Sequence, residues 1–181
     1  MLDAAARNCG ESSVRLVRQD IRRLCLPHPV DLVTANFDTV NHLTGKFDLL
    51  SALRSIYHNL NPGGHVIFDF ITPCNPLGGP RKYVQMFRSG SREVLQHIRW
   101  DGRRLSIRLV FRSPRARFST VEEHRERAYS PSEVGRALLD SGFIIKGVVD
   151  FASLRTATEC PPRVIVVAMK RRRSLCAATA E

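Results

Sequence analysis

The sequence predicts an α/β protein with a parallel sheet, and three stretches carry that expectation. The first is the apolar run Val30-Asp31-Leu32-Val33-Thr34-Ala35. The second is a helix-period segment over residues 44–60. The third is His65-Val66-Ile67-Phe68-Asp69-Phe70, which starts directly after Asn61-Pro62-Gly63-Gly64. Two buried strands joined through a helix form a right-handed crossover in one parallel sheet. Ligands of such sheets bind beyond the carboxyl ends of the strands, where the polar loop 36–42 falls.

The remaining elements follow in order. Residues 2–8 read as a helix with Gly10 as its stop. Val14-Arg15-Leu16-Val17-Arg18 alternates as a strand does and runs into Gln19-Asp20-Ile21. Residues 22–29, with two prolines, form a connection. In the crossover helix, Phe47, Leu50, Leu53, Ile56 (with Tyr57) and Leu60 make one core-facing stripe. Residues 73–80 are loop by composition. Residues 93–100 and 105–111 are strand-like, Asp101-Gly102 between them is a hairpin signal, and a third run over about 117–127 extends the meander. Segment 81–127 is therefore expected to be a small antiparallel β insertion, a substrate cap over the sheet's carboxyl edge. Ser130-Pro131-Ser132-Glu133 is a capping box with proline at the first helical position. Val134, Leu138 and Leu139 form that helix's apolar face, and Gly142 ends it. Residues 143–151 and 163–170 close the chain as an antiparallel hairpin. Residues 1–170 thus make one domain, followed by a disordered basic tail at 171–181.

Composition narrows the function classes. A length of 181 residues suits one domain with a real core, and 43% hydrophobic content is that of an ordinary soluble protein. No apolar run has the roughly 20 residues that span a bilayer. The N-terminus lacks the basic-then-apolar pattern of a secretory signal. The five cysteines are widely spaced without a CxxC pair, so neither a zinc site nor a disulfide framework is expected, and a reducing cytoplasm is the default. The net charge of +11 is uneven: residues 1–80 are neutral, 81–127 carry +8 and 128–181 carry +3. This reads as a solvated basic face plus a basic tail. Aromatic residues are sparse among the arginines, which disfavours a single-strand nucleic-acid platform.

The order of these elements resembles a class I S-adenosylmethionine-dependent methyltransferase of the small-molecule type. Met1-Leu2-Asp3-Ala4-Ala5 resembles the start of the helix after that family's second strand, and Val17-Arg18-Gln19-Asp20-Ile21 the end of its third. Residues 30–43 resemble the fourth strand and its loop. Leu60-Asn61-Pro62-Gly63-Gly64 resembles the turn before the fifth, and His124-Arg125-Glu126-Arg127-Ala128-Tyr129-Ser130-Pro131 the segment before the last helix. The closing hairpin resembles the sixth and seventh strands. The resemblance implies a Rossmann-like, mostly parallel sheet with an antiparallel C-terminal hairpin. It also implies that the first βαβ unit, with its Gly-rich turn and acidic ribose ligand, is lacking here, about 40–60 residues by the size of one such unit with its lead-in. An open edge on strand 30–35 is then expected, with self-association through it.

The resemblance implies methyl transfer from S-adenosylmethionine to a nitrogen or oxygen of a small-molecule acceptor. A non-catalytic remnant acting as an interaction module is the alternative. No Asn-Pro-Pro-Tyr-type motif of nucleic-acid base methyltransferases is present. For the cofactor, the expected residues are Asp20, accepting from the adenine amino group, Ile21 and Leu2 beside the ring, and Asn36 and Phe37 near the methionine part. For the chemistry they are His42, whose near-neutral pKa suits proton acceptance, with His124 and Tyr129 at the acceptor pocket. Asp69 reads equally as an amine ligand or a cap. His28, His58, His65 and His97 show no ligand spacing, and no metal site is expected.

Overall fold

Strand β1 (Val30–Ala35) and strand β2 (Leu60–Ile71) run parallel, and helix α2 (Asp48–Asn59) carries the chain between them. The computed structural model describes residues 2–9, 14–74, 77–112, 119–157 and 161–172. Helix α1 covers Leu2–Cys9. Val30 pairs with Leu60 and Leu32 with His65, so residues 61–64 loop out opposite Asp31. Gly64 permits that close approach, because a Cβ there would lie 2.9 Å from the Asn61 carbonyl oxygen and 3.1 Å from that of Asp31.

β2 is central. Strands β7 (Phe143–Asp150) and β8 (Arg163–Lys170) form the closing hairpin, and β8 lies antiparallel on β2, giving the order β1-β2-β8-β7. One face of this sheet holds Val66, Phe68 and Phe70 of β2 beside Ala168, Val166 and Val164 of β8, all buried. Leu49, Ala52, Leu53 and Ile56 of α2 join the same core, with Val134 and Leu138 of α3 (Pro131–Asp140). Each Val, Leu, Ile or Phe side chain among them contributes about 1.5–3 kcal/mol by leaving water. The other face is thinly covered: Ile67, Ile165 and Val167 are half-buried, and Leu32 is 53% exposed.

Strands β3 (Lys82–Ser89), β4 (Arg92–Trp100), β5 (Arg104–Arg112) and β6 (Thr120–Arg127) form a second, wholly antiparallel sheet in sequence order. Its inner face carries Tyr83, Ile98, Trp100, Leu105 and Ile107 onto Ile71 at the end of β2. Alternation sends Lys82, Arg99, Arg104, Arg108 and Arg125 to the opposite, exposed face, so much of the middle segment's positive charge is solvated.

The α/β class, the parallel pair, the capping box and the closing hairpin match the sequence expectation. Four local readings are corrected. Residues 14–20 form no strand, and Val14, Leu16 and Val17 are exposed; among the described residues no sheet edge lies against them, so their backbone groups face water rather than a ladder. Among the described residues the parallel part of the sheet is consequently a single pair. Phe47 precedes α2 and is exposed, and Leu49 with Ala52 takes its place in the stripe; the helix starts one residue after the aromatic. Leu139 is likewise exposed, on the solvent side of α3. Cys74 is disulfide-bonded, against the expectation of no disulfide, because sequence spacing does not report which cysteines meet in space. β3 is an additional strand the composition did not reveal. Gly10 and residues 173–181 lie outside the described residues. No described helix is long and apolar enough to cross a membrane.

Candidate functional site

β1 ends at Ala35, and the chain turns sharply. Phe37 and Asp38 hold consecutive left-handed conformations, with φ of 56° and 60°. For a bulky residue this is a strained backbone, of the kind stored where loops are tightly constrained by their surroundings. The constraints are visible. Asp38 N–H donates to Asp69 Oδ2 at 3.3 Å, Arg163 Nε lies 3.0 Å from the same oxygen, and Arg163 Nη2 pairs with Asp38. Burial pushes the Asp69 carboxyl above the usual carboxylate range, against the backbone N–H that favours its charged form. Phe37 itself stands 81% exposed at the strand's carboxyl end.

A 3-10 turn, Thr39–His42, follows. Asn41 is completely buried. Its Nδ2 donates to the Ile71 carbonyl at 3.2 Å and the Arg127 carbonyl at 2.7 Å, and its Oδ1 accepts from Ile71 N–H at 3.0 Å. The amide thus continues the ladder of β2 where β1 has run out, and ties it to the end of β6. Two residues on, the Leu43 carbonyl accepts from the buried hydroxyl of Tyr129. His42 sits between these anchors, with its side chain about half exposed.

The anchored turn aims His42 at β6. Its ring meets the His124 ring edge-on, centroids 6.1 Å apart, and its Nε2 lies 3.9 Å from Oε1 of Glu126. Glu126 is 4% exposed, and burial pushes its carboxyl up. Burial and then the nearby His124 hold the His42 imidazole below its ordinary value, while the Arg125 backbone opposes them. Burial and His124 thus favour the neutral form of a half-accessible imidazole, the form that can take a proton. Among the described residues no group of His, Cys, Asp and Glu could hold a metal ion.

The structure places the other expected residues as follows. His124 joins His42 and pairs with Glu122 at 3.6 Å. Tyr129 lies behind the site as an anchor under the Arg127 guanidinium, 4.7 Å from its ring; burial raises its hydroxyl pKa. Asn36 and Phe37 are exposed at the end of β1, and the Asn36 carbonyl accepts from Thr39 Oγ1 at 2.6 Å. Asp20 caps a short 3-10 turn, Ile21–Arg23, against α2. Its carboxylate is taken by Arg22 at 2.7 Å, which holds it down at about 2, and Arg22 reaches on to Asp48 at 3.0 Å. Ile21 packs at the core's margin. Leu2 opens α1, and its side chain lies outside the described residues. Sequence reasoning missed Glu126, Asn41, Asp38 and Arg163. Only Glu126 left a trace, an acid in the inward phase of an alternating strand.

No protein-family model matches the sequence, and none of the curated proteins does. Solved structures do match. An S-adenosylmethionine-dependent methyltransferase from Clostridium acetobutylicum superimposes with a TM-score of 0.80 at 21% identity, over 94% of this chain and 71% of that one. A sugar N-methyltransferase from Streptoalloteichus gives 0.71 at 17% identity, over 93% and 67%. An amino pentose methyltransferase from Micromonospora echinaspora, solved with S-adenosylmethionine bound, gives 0.63 at 20%, over 93% and 70%. The chain therefore spans about 70% of the first of these neighbours' lengths, and its fold is that of the S-adenosylmethionine-dependent methyltransferases.

Proposed function

We propose that this chain carries the adenine side and the acceptor side of an S-adenosylmethionine-dependent methyl transfer to a small-molecule nitrogen or oxygen. The observation that supports it best is His42. A proton-accepting imidazole is held by Asn41 and Tyr129 in the loop after β1, at the strand end where ligands of this fold bind, and it faces the second sheet. The residues present fit the cofactor in part. Exposed Asn36 and Phe37 and half-buried Ile21 are free to line it, whereas Asp20 accepts an adenine N–H only by sharing its carboxylate with Arg22. When bound, the cofactor supplies an activated methyl on a positively charged sulfur. The chain's own residues then align the acceptor, exclude water with the second sheet as a cap, and take the acceptor's proton at His42. The neighbours named as N-methyltransferases make an amine the first acceptor to try.

The test is nuclear magnetic resonance of the 181-residue chain with S-adenosylhomocysteine up to millimolar concentration. Shifts confined to Ile21, Asn36, Phe37 and their neighbours support the reading; unmoved resonances there overturn it. Labelled-methyl transfer to a panel of amines and alcohols, abolished by His42→Gln, extends it.

A second reading, an associating module, draws on β1. Its outer edge has no partner strand among the described residues, and Leu32 within the strand and Phe37 just after it are exposed. Unpaired edges with apolar side chains recruit another strand. We expect concentration-dependent dimers by sedimentation velocity, shifted to monomer by Leu32→Lys. A wild-type chain that stays monomeric at high concentration removes this reading.

A further inference from the structure

Glu126 is the buried group that the proposed chemistry leaves unexplained. Strand alternation puts it on the inner face of the second sheet, opposite Leu105 and two residues from His124. It therefore sits in an apolar row with Trp100 and Leu105. Among the described residues its Oε2 has no hydrogen-bond partner, and its Oε1 lies 3.9 Å from His42 Nε2. A buried carboxylate without a cation is costly. The arginines of this basic sheet do not supply one. Arg125 and Arg127 take the opposite phase of β6, and Arg127 pairs with Glu133 at 2.8 Å. His124 is turned to Glu122. Asp69, the titratable group of β2 on the other side of the turn, is matched by Arg163. Among the described residues, the one group that ion-pairs with Glu126 is thus His42, once it has gained a proton.

We propose that Glu126 is the positioning residue of His42, orienting the imidazole and giving it a counter-charge as it takes the acceptor's proton. This rests on the reading of His42 above. In the step, the acceptor's N–H or O–H bond breaks and its electron pair stays on the nitrogen or oxygen. A new N–H bond forms on a ring nitrogen of His42, and the resulting imidazolium faces the Glu126 carboxylate; the proton leaves later to water. Glu126 touches no substrate atom and acts only through the ring.

The experiment is a histidine titration by nuclear magnetic resonance on the whole chain, without any ligand, comparing wild type, Glu126→Gln and Glu122→Gln. A unit charge near 4 Å at a half-exposed site is felt by at least about one pH unit. Glu126→Gln should therefore lower the His42 midpoint by about that much or more, while Glu122→Gln, four residues back along β6, moves it far less. An unchanged midpoint in Glu126→Gln overturns the proposal, even if methyl transfer is found. A lowered midpoint upholds it, even if no acceptor is found. Should Glu126→Gln fail to fold, the wild-type chain decides. The carboxyl carbon of Glu126 must show an inflection at the midpoint of His42, and its absence overturns the pairing. Where transfer is measurable, Glu126→Gln should move the acid limb of the kcat/KM profile, with Glu126→Asp restoring it in part.

Discussion

Replacing Asn41 by alanine tests the turn that holds His42. The amide makes three hydrogen bonds, to Ile71 N–H and to the carbonyls of Ile71 and Arg127. The Ile71 carbonyl keeps the Tyr129 N–H at 3.1 Å. The other two groups lose the partner the side chain provides. Thr72 N–H bonds Pro162 and Ala128 N–H bonds Arg103, so by ladder alternation the Ile71 and Arg127 groups point away from those neighbours. Each buried polar group left unsatisfied costs about 1–3 kcal/mol, so Asn41→Ala should lose about 3 kcal/mol in all. That is a large part of the 5–15 kcal/mol typical of a domain. With a urea slope near 2 kcal/mol/M, the unfolding midpoint falls by about 1.5 M. Asn41→Asp should cost at least as much, since it keeps one acceptor but sets a carboxylate against two carbonyl oxygens. The assay is equilibrium urea unfolding followed by the far-ultraviolet signal and by Trp100 fluorescence. A midpoint shift under about 0.3 M for Asn41→Ala would mean that the amide is not the ladder's continuation, and the account of how His42 is held would fail.

Three further outcomes are expected. Gly142 has φ of +92°, and a Cβ there would lie 3.2 Å from the Tyr57 ring, so Gly142→Ala should cost about 2 kcal/mol and lower Tm by about 4–8 °C in calorimetry. Ser130 accepts from Glu133 N–H at 3.1 Å while Glu133 accepts from Ser130 N–H at 2.9 Å; Ser130→Ala should lose about 1 kcal/mol in the same assay, and an unchanged Tm would remove the capping box as a stabiliser. His42 binds a proton less readily folded than unfolded, so its contribution is present above the ordinary value of 6.5 and is lost as pH falls below it. Glu126 has the opposite sign, its contribution being present below 4.5 and lost as pH rises through its folded value. His42→Gln should flatten the loss of urea midpoint between pH 7 and pH 5.5, and an unaltered slope would show that His42 does not titrate as placed.

The sequence alone determined the elements whose causes are local. Helix α3 was legible because the capping box, the proline and Gly142 act within one turn of its ends. The β1–α2–β2 unit was legible because two apolar runs flank a 3.6-residue period and stop at Pro-Gly-Gly. His42 could be named because it lies in the loop of that unit. Tertiary structure decided the rest. Val14–Val17 alternates like a strand, yet a strand exists only where a neighbour accepts its hydrogen bonds. Tyr129 is expected beside an acceptor from its place in the sequence, whereas in the fold its hydroxyl donates to the Leu43 carbonyl. Asp38 and Asn41, Glu126 and Arg163 come from three distant segments and acquire meaning only where the end of β2 meets β6 and β8. Capping and periodicity are set by residues a few positions apart and can be read along the chain. A buried amide or carboxylate is defined by its partners across space, and those the fold alone brings together.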